Sequence, residues 1–510
     1  MPKTIFHTSE KSNFILNMDL DKYRRFCAKL LAAMLICVAF AEMMFQLTYS
    51  KVIDFNEMIA DGGVDGFLAL TAIGLRSVAT FFSVLGVFVV ITMVIGVMRQ
   101  QFSRSTAVPY CIVLALLGWA VVSVLHSFSI SDSMFGQDGR DEGWFALLIY
   151  GATLYVGSML RREENLSKLM NFILGFSVVQ CIWGLLQACP FFDFPNEYKF
   201  VGPLVCDNLK LPSGFTDSPI TFAMLLSMLA CIAIPAAVCS KSKFQRVFAT
   251  ICVGLEMLLL LKTQTYAGVI GAACALLFGI VMCAVYGKKS AGKTWVLPVV
   301  LAGALVVSAG WTYFTPSIND VSTTTDKIPV DDGFRFLDGA LIFDDGNYRI
   351  STCPAYNVLR EHDFDINDAC SVLEFSWKEG IKAIKKYPVL GTGPDNFFYT
   401  QMHSSYVIIS NDNGVDRPYN DFLFIAATRG ILSLILYLAL LVICLVKGFR
   451  HHKETGNWVY LSAAFAVLAY TATSMVGISV LTVTPLLWAM LGVLIGTPLT
   501  DAPKDVSATH

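Results

Sequence analysis

Long apolar runs separated by short polar loops recur along most of this chain. A run of about 20 apolar residues matches the ~30 Å hydrocarbon core of a bilayer, whereas a helix on a soluble core needs only one apolar stripe. The runs fall at roughly 27–48, 67–97, 108–128, 144–160, 169–188, 219–239, 246–264, 266–287, 294–314, 429–447, 458–477 and 478–496. Backbone groups inside a bilayer need internal partners, so each run is expected to be a helix. The second run exceeds one crossing and carries Arg76, so its first turns, 68–75, are expected in the interface or folded back. One polar stretch interrupts the series. The expected order is a tail (1–26), a membrane bundle of nine spans (27–314), a large loop (315–428), three further spans (429–496) and a second tail (497–510).

Composition supports this pattern. Hydrophobic residues make up 55% of the chain and charged residues 15%, with a mean hydropathy of +0.61. The expected fold is an all-α polytopic membrane protein of about twelve transmembrane helices, with one large extracytoplasmic loop containing short helices. A net charge of −2 with dispersed Lys and Arg offers no surface for nucleic acid. A cleavable leader is not expected, because the first 25 residues are polar and the first apolar run already has spanning length.

The basic residues set the expected orientation, since cytoplasmic loops retain Lys and Arg. Loops on the side of the amino terminus hold Arg99 and Arg104, then Arg161, Arg162 and Lys168, then Lys241, Lys243 and Arg246. Lys288, Lys289, Lys293, Lys447, Arg450 and Lys453 continue the set. The short loops opposite hold only Lys51, Arg140, Lys199, Lys210 and Lys262. Both termini are therefore expected in the cytoplasm and the large loop outside. Of 14 cysteines, four fall on the outer side as two local pairs, Cys189 with Cys206 and Cys353 with Cys370. They read either as two disulfides in an oxidising compartment or as four unrelated thiols. No CxxC or neighbouring His pair suggests zinc.

Within the large loop, residues 371–386 have helical periodicity. Ser371 with Glu374 forms a candidate capping box, and Leu373, Trp377, Ile381 and Ile384 share one face. Lys378, Lys382, Lys385 and Lys386 line the other side, and Tyr387-Pro388 ends the helix. This helix is expected either among lipid phosphates or packed on an outer domain.

Five glycine-containing segments then stand out. Pro388-Val-Leu-Gly-Thr-Gly-Pro-Asp-Asn-Phe397 follows the lysine helix, and Arg417-Pro-Tyr-Asn-Asp-Phe-Leu423 leads to Gly430-Ile-Leu-Ser433. Phe135-Gly136 with Arg140, Glu142 and Gly143 precedes the fourth span. Ser213-Gly-Phe-Thr-Asp-Ser-Pro219 precedes the sixth, and Thr263-Gln-Thr-Tyr-Ala-Gly268 precedes the eighth. Together, in order and on one side, these resemble the motifs of the O-antigen ligase and surface-polysaccharide polymerase superfamily. The resemblance runs from about residue 130 to 435. Two positions depart from its pattern: Tyr419 stands where the family has histidine, and Tyr266 where it has arginine.

The resemblance implies a membrane glycosyltransferase that draws glycan from undecaprenyl pyrophosphate on the outer face of the bacterial cytoplasmic membrane, without metal or other cofactor. The acceptor, whether glycan, lipid or protein, stays open. Such a transfer needs cations for the departing pyrophosphate and a route for the acceptor proton. Arg417, Arg349 and Arg140 are the favoured cations, with Arg335, Arg360 and Arg429 also on the outer side. Each could equally form a structural ion pair with an acid such as Glu142 or Asp416. Lys262 could replace the charge missing at Tyr266. Gly391, Gly393 and Gly430 complete the expected substrate-binding set.

For the proton, Tyr419 could act as base beside Arg417 and Asn420, or position the acceptor while His403 or Asp421 takes the proton. A dissociative transition state needing little base is the third route, and loss of catalysis the fourth. Asp363-Phe-Asp365 and the paired acids Asp331-Asp332 and Asp344-Asp345 could bind a hard cation, but solvated loop acids account for them as well. Two other functions fit a multi-span chain: a non-catalytic glycan-binding envelope protein, and a transporter. The transporter reading lacks midplane charges other than Arg76 and any visible repeat.

Overall fold

The computed structural model describes residues 19–52, 64–99, 101, 104–137, 140–189, 211–286, 296–314, 334–337, 340–343, 369–402 and 417–498. The helices in chain order are α1 (Leu20–Val52), α2 (Val64–Met98), α3 (Arg104–Leu125), α4 (Ile130–Phe135) and α5 (Trp144–Ser158). Next come α6 (Glu163–Ala188), α7 (Pro219–Cys239), α8 (Lys243–Lys262), α9 (Tyr266–Tyr286) and α10 (Val296–Phe314). The last five are α11 (Ala369–Lys386), α12 (Tyr399–Met402), α13 (Asp421–Thr455), α14 (Trp458–Thr473) and α15 (Thr484–Ile495). Eight of the described helices are long and apolar enough to cross a membrane, and four shorter apolar helices accompany them. The molecule is a polytopic helical membrane protein.

The bundle is organised around α7, whose side chains are nearly all buried. Helices α8, α9 and α14 surround it. Ser462 of α14 donates to the Ile232 carbonyl at 2.7 Å. Without a hydrophobic drive between helices in lipid, close approach depends on small residues. At the α5–α15 contact a Cβ on Gly492 would lie 2.2 Å from the Leu154 carbonyl oxygen, so only glycine fits there. The outer faces are apolar and exposed, including Phe81, Val84, Phe88 and Ile91 of α2 and Val442 and Val446 of α13. This is the face a bilayer would cover.

Several boundaries differ from the sequence reading. Residues 68–75 continue α2 as uninterrupted helix rather than folding back. The tenth span begins at Asp421 and not near 429, because the chain turns helical ahead of a break at Gly430 (φ 83°, ψ 164°). Helix α11 begins at Ala369, which leaves Ser371 inside the first turn and not at a cap. Its buried stripe is Ser376, Gly380 and Ala383, while Ile381 is 42% exposed. The contact is close: a Cβ on Gly380 would lie 2.9 Å from Cβ of Pro418. Small residues therefore face the partner and the larger ones flank it. In the large loop, Phe334–Leu337 and Ala340–Phe343 pair as a two-stranded antiparallel ribbon, with Phe334 opposite Phe343. Aromatic and β-branched side chains favour strand there, and helical periodicity is lacking. The spans carry charged residues besides Arg76: Glu42 of α1 and Glu256 of α8, both buried.

Candidate active site

At one end of the bundle, three of the glycine turns interlock, and a fourth stands beside them. Phe135 to Gly143 forms a pinched loop, because a Cβ on Gly143 would lie 2.4 Å from the Gly136 nitrogen. Gly136 itself has φ 100°, a conformation open to glycine. The pinch projects Arg140 toward the Pro388–Phe397 turn. There the Arg140 guanidinium pairs with the Asp395 carboxylate at 3.2 Å, and both side chains are almost fully buried. Arg140 also donates to the Asp395 carbonyl at 3.3 Å, and the Gln137 amide donates to the carboxylate at 2.7 Å.

The Pro388–Phe397 turn is held on its other side by α13. Its Thr392 and Gly393 amides donate to the carbonyls of Ala427 and Thr428 at 3.0 and 2.9 Å, and the Ile431 amide donates to the Pro388 carbonyl at 3.0 Å. This docking requires the break at Gly430, where a Cβ would sit 1.7 Å from the Val389 oxygen. From α3, Ser123 donates to the Leu390 carbonyl at 2.6 Å and the Trp119 indole to the Arg429 carbonyl at 3.2 Å. The amides of Thr392 and Gly393 are spent on these contacts. Gly391, Gly393 and Gly430 therefore allow the close approach that docks this turn on α13.

The Ser213–Pro219 turn is fixed by glutamines. Gln187 accepts from the Ser213 and Gly214 amides at 3.0 and 2.8 Å, and Gln180 accepts from the Phe215 amide at 2.9 Å. Gln46 of α1 donates to the carbonyls of Gly214 and Thr216 at 3.1 and 3.2 Å. Ser218 then caps α7 in a capping box with Thr221, with Pro219 in the first turn.

Between these turns lies a small cleft of about 50 Å³. Its lining brings Arg140 and Arg417 together with Glu42, Asp141, Glu142 and Asp217, beside Ser479 to Thr482 of the loop before α15. Val78 and Ala79 of α2 close one wall. Glu142 accepts from the Tyr150 hydroxyl and from the Ser479 hydroxyl, each at 2.6 Å. Burial, opposed by those two hydrogen bonds and reinforced by the charges of Asp395 and Asp421, pushes its carboxyl up to about 7.

The remaining predicted residues fall elsewhere. Tyr419 is buried, has φ 43°, and lies outside the cleft lining. Its carbonyl is 3.5 Å from the Trp377 indole nitrogen. Asn420 caps α13, accepting from the amides of Phe422 and Leu423 at 3.1 and 3.2 Å. Asp421 is buried beside it, and its amide donates to the Ser474 carbonyl at 2.9 Å. Lys262 and Tyr266 sit at the turn between α8 and α9. Lys262 lies 5.2 Å over the Trp311 ring, and neither residue lines the cleft. Arg349 and His403 lie outside the described residues, as do Cys206 and Cys353 and hence both candidate disulfides with Cys189 and Cys370.

Glu142, Asp217, Asp395 and Ser479 were not singled out as site residues from sequence. The first three belong to the recognised turns, so motif position could have flagged them. Ser479 sits in an apolar loop with no sequence signal.

No match to the chain is found among curated proteins. Residues 247–438 match the family model described as O-Antigen ligase (Wzy_C). That segment includes the turn before α9, the Pro388–Phe397 turn and the Tyr419–Gly430 register. Over that segment, whose turns pack at one end of a helical membrane bundle, the chain is similar to the O-antigen ligase family.

Proposed function

We propose that the protein transfers or polymerises a glycan from an undecaprenyl-pyrophosphate donor on the outer face of the cytoplasmic membrane. The match of residues 247–438 to the O-antigen ligase family supports reading the protein as a glycan-transferring membrane enzyme that meets a lipid-linked glycan. The observation that carries the finer reading is the cleft, which gathers Arg140 and Arg417 with carboxylates at one end of the bundle.

The departing pyrophosphate gains negative charge as the glycosidic bond breaks, and fixed guanidinium groups stabilise that charge without reorganising. Arg417 is the residue we assign to the pyrophosphate. Arg140, already paired with Asp395, contributes charge while holding the glycine turn. Direct attack by the acceptor hydroxyl inverts the anomeric centre, and two arginines can do the work that a divalent cation does elsewhere, so the reaction is proposed to be metal-independent. The donor's tail stays in lipid. That requirement fits a cleft walled by Val78 and Ala79, on a helix whose next turns expose Phe81, Val84 and Phe88. The basic loops Arg161–Arg162 and Lys241–Lys243 lie at the opposite end of the helices, which supports placing the cleft outside.

Surface-glycan complementation tests the reading. In cells lacking the gene, the wild-type chain should restore long-chain surface glycan and Arg417→Ala should not, at equal membrane levels. Full restoration by Arg417→Ala would remove Arg417 from the reaction. Treatment of membranes with a chelator should leave transfer unchanged, and loss of transfer would contradict the metal-independent part.

A further inference from the structure

The cleft contains a carboxylate in an unusual setting. Glu142 lies in its wall with Arg140, Arg417 and Ser479. Each carboxylate oxygen already accepts one hydroxyl, from Tyr150 and from Ser479 at 2.6 Å, which fixes the plane of the group. Each oxygen keeps a further lone pair. A second hydroxyl reaching the cleft can therefore donate to a carboxylate that is already oriented.

We infer that Glu142 accepts the proton of the acceptor hydroxyl during glycan transfer. This rests on the transfer reading given above. Tyr419, at the position where the superfamily motif has histidine, is buried outside the cleft lining, whereas Glu142 faces the cleft beside both arginines. In the step, the acceptor oxygen forms a bond to the anomeric carbon and its proton passes to the Glu142 carboxylate. The bond from that carbon to the pyrophosphate oxygen breaks, and the pyrophosphate leaves with the electron pair. Deprotonation of Glu142 by water restores the base.

The groups facing Glu142 come from several elements. Asp395 of the glycine turn and Asp421 at the start of α13 oppose its ionisation, and the hydroxyls of Tyr150 on α5 and Ser479 before α15 favour it. Arg140, Arg417, Asp141, Asp217 and Glu42 share the cleft. A carboxylate is a base only when ionised, so burial that lifts it to about 7 makes activity rise with pH through that value and level off above it.

The test uses the full-length protein in lipid nanodiscs, with lipid-linked glycan extracted from source cells as donor and release of undecaprenyl pyrophosphate as readout. Wild-type turnover should show an acid limb near pH 7. Glu142→Gln, which keeps an acceptor oxygen for one hydroxyl, should lower kcat by about 100-fold or more, and its residual rate should lack that limb. Ser479→Ala removes a hydrogen bond that favours the charged form, so its limb should move to higher pH. A purely structural role would lower yield or rate without moving the limb. Wild-type turnover with an unchanged limb in Ser479→Ala, or full activity in Glu142→Gln, overturns the assignment and leaves the transfer reading standing. Absence of any wild-type turnover would take down both.

Discussion

Single atoms decide what several of the motif residues do. Asn420 sits in the signature register, yet its side-chain oxygen is committed to the amides of Phe422 and Leu423. Its replacement by Ala should cost about 1 kcal/mol, the usual loss for a helix cap, and Asn420→Ser should recover both stability and transfer. Thermal unfolding in detergent, beside the transfer assay, checks this. If Asn420→Ser were stable but inactive, the amide would have a chemical role beyond the cap. Gly430 is less forgiving, because its Cβ would meet the Val389 oxygen at 1.7 Å and its φ is 83°. Gly430→Ala is expected to destabilise by about 3 kcal/mol or more, through strain and loss of the docked turn. Normal thermal stability of Gly430→Ala would contradict the docking account. The sequence singled out Asn420 for catalysis and Gly430 for substrate binding, whereas the fold gives them a cap and a close backbone approach. The sequence could not show this, since both are properties of the fold around them.

Among the elements, the glycine turn Pro388–Phe397 is the keystone of the site end, locked by α3, the Arg140 loop and α13. Its buried Arg140–Asp395 pair should be worth far more broken than intact: Asp395→Ala should cost about 3–5 kcal/mol by stranding the guanidinium. Asp395→Ala with wild-type unfolding behaviour would count against that lock. This pairing was not legible in the chain. Arg140 and Asp395 are 255 residues apart, and sequence alone offered Glu142 as the nearer acid. The amphipathic helix was legible in its C-terminal stop at Tyr387-Pro388, while its start lies at Ala369 and not at a Ser371 cap. Its buried face was misjudged, because the approach to Pro418 selects Ser376, Gly380 and Ala383 over the bulkier Ile381.

At the scale of the whole molecule, periodicity and length sufficed to find the membrane bundle, because repeated runs of about twenty apolar residues would be costly to expose anywhere but in a bilayer. Where helices began inside polar sequence, as at Asp421, hydropathy alone placed the boundary too late. The proposed orientation has a direct check. Lys168→Cys and Lys241→Cys, both exposed at the basic end, should label only from the cytoplasm, and Lys382→Cys on α11 only from outside. The reverse pattern would invert the topology. At the centre of the proposed mechanism, Arg417 and its cleft stabilise a departing lipid-linked pyrophosphate. The most direct measurement is release of undecaprenyl pyrophosphate from lipid-linked glycan by the purified protein in nanodiscs. The wild-type protein should release it in step with glycan transfer, and a folded Arg417→Ala protein should be slower by about 100-fold, in line with loss of a fixed electrostatic contact to the transition state. Equal rates for the two proteins, or no release by the wild type, would contradict that role.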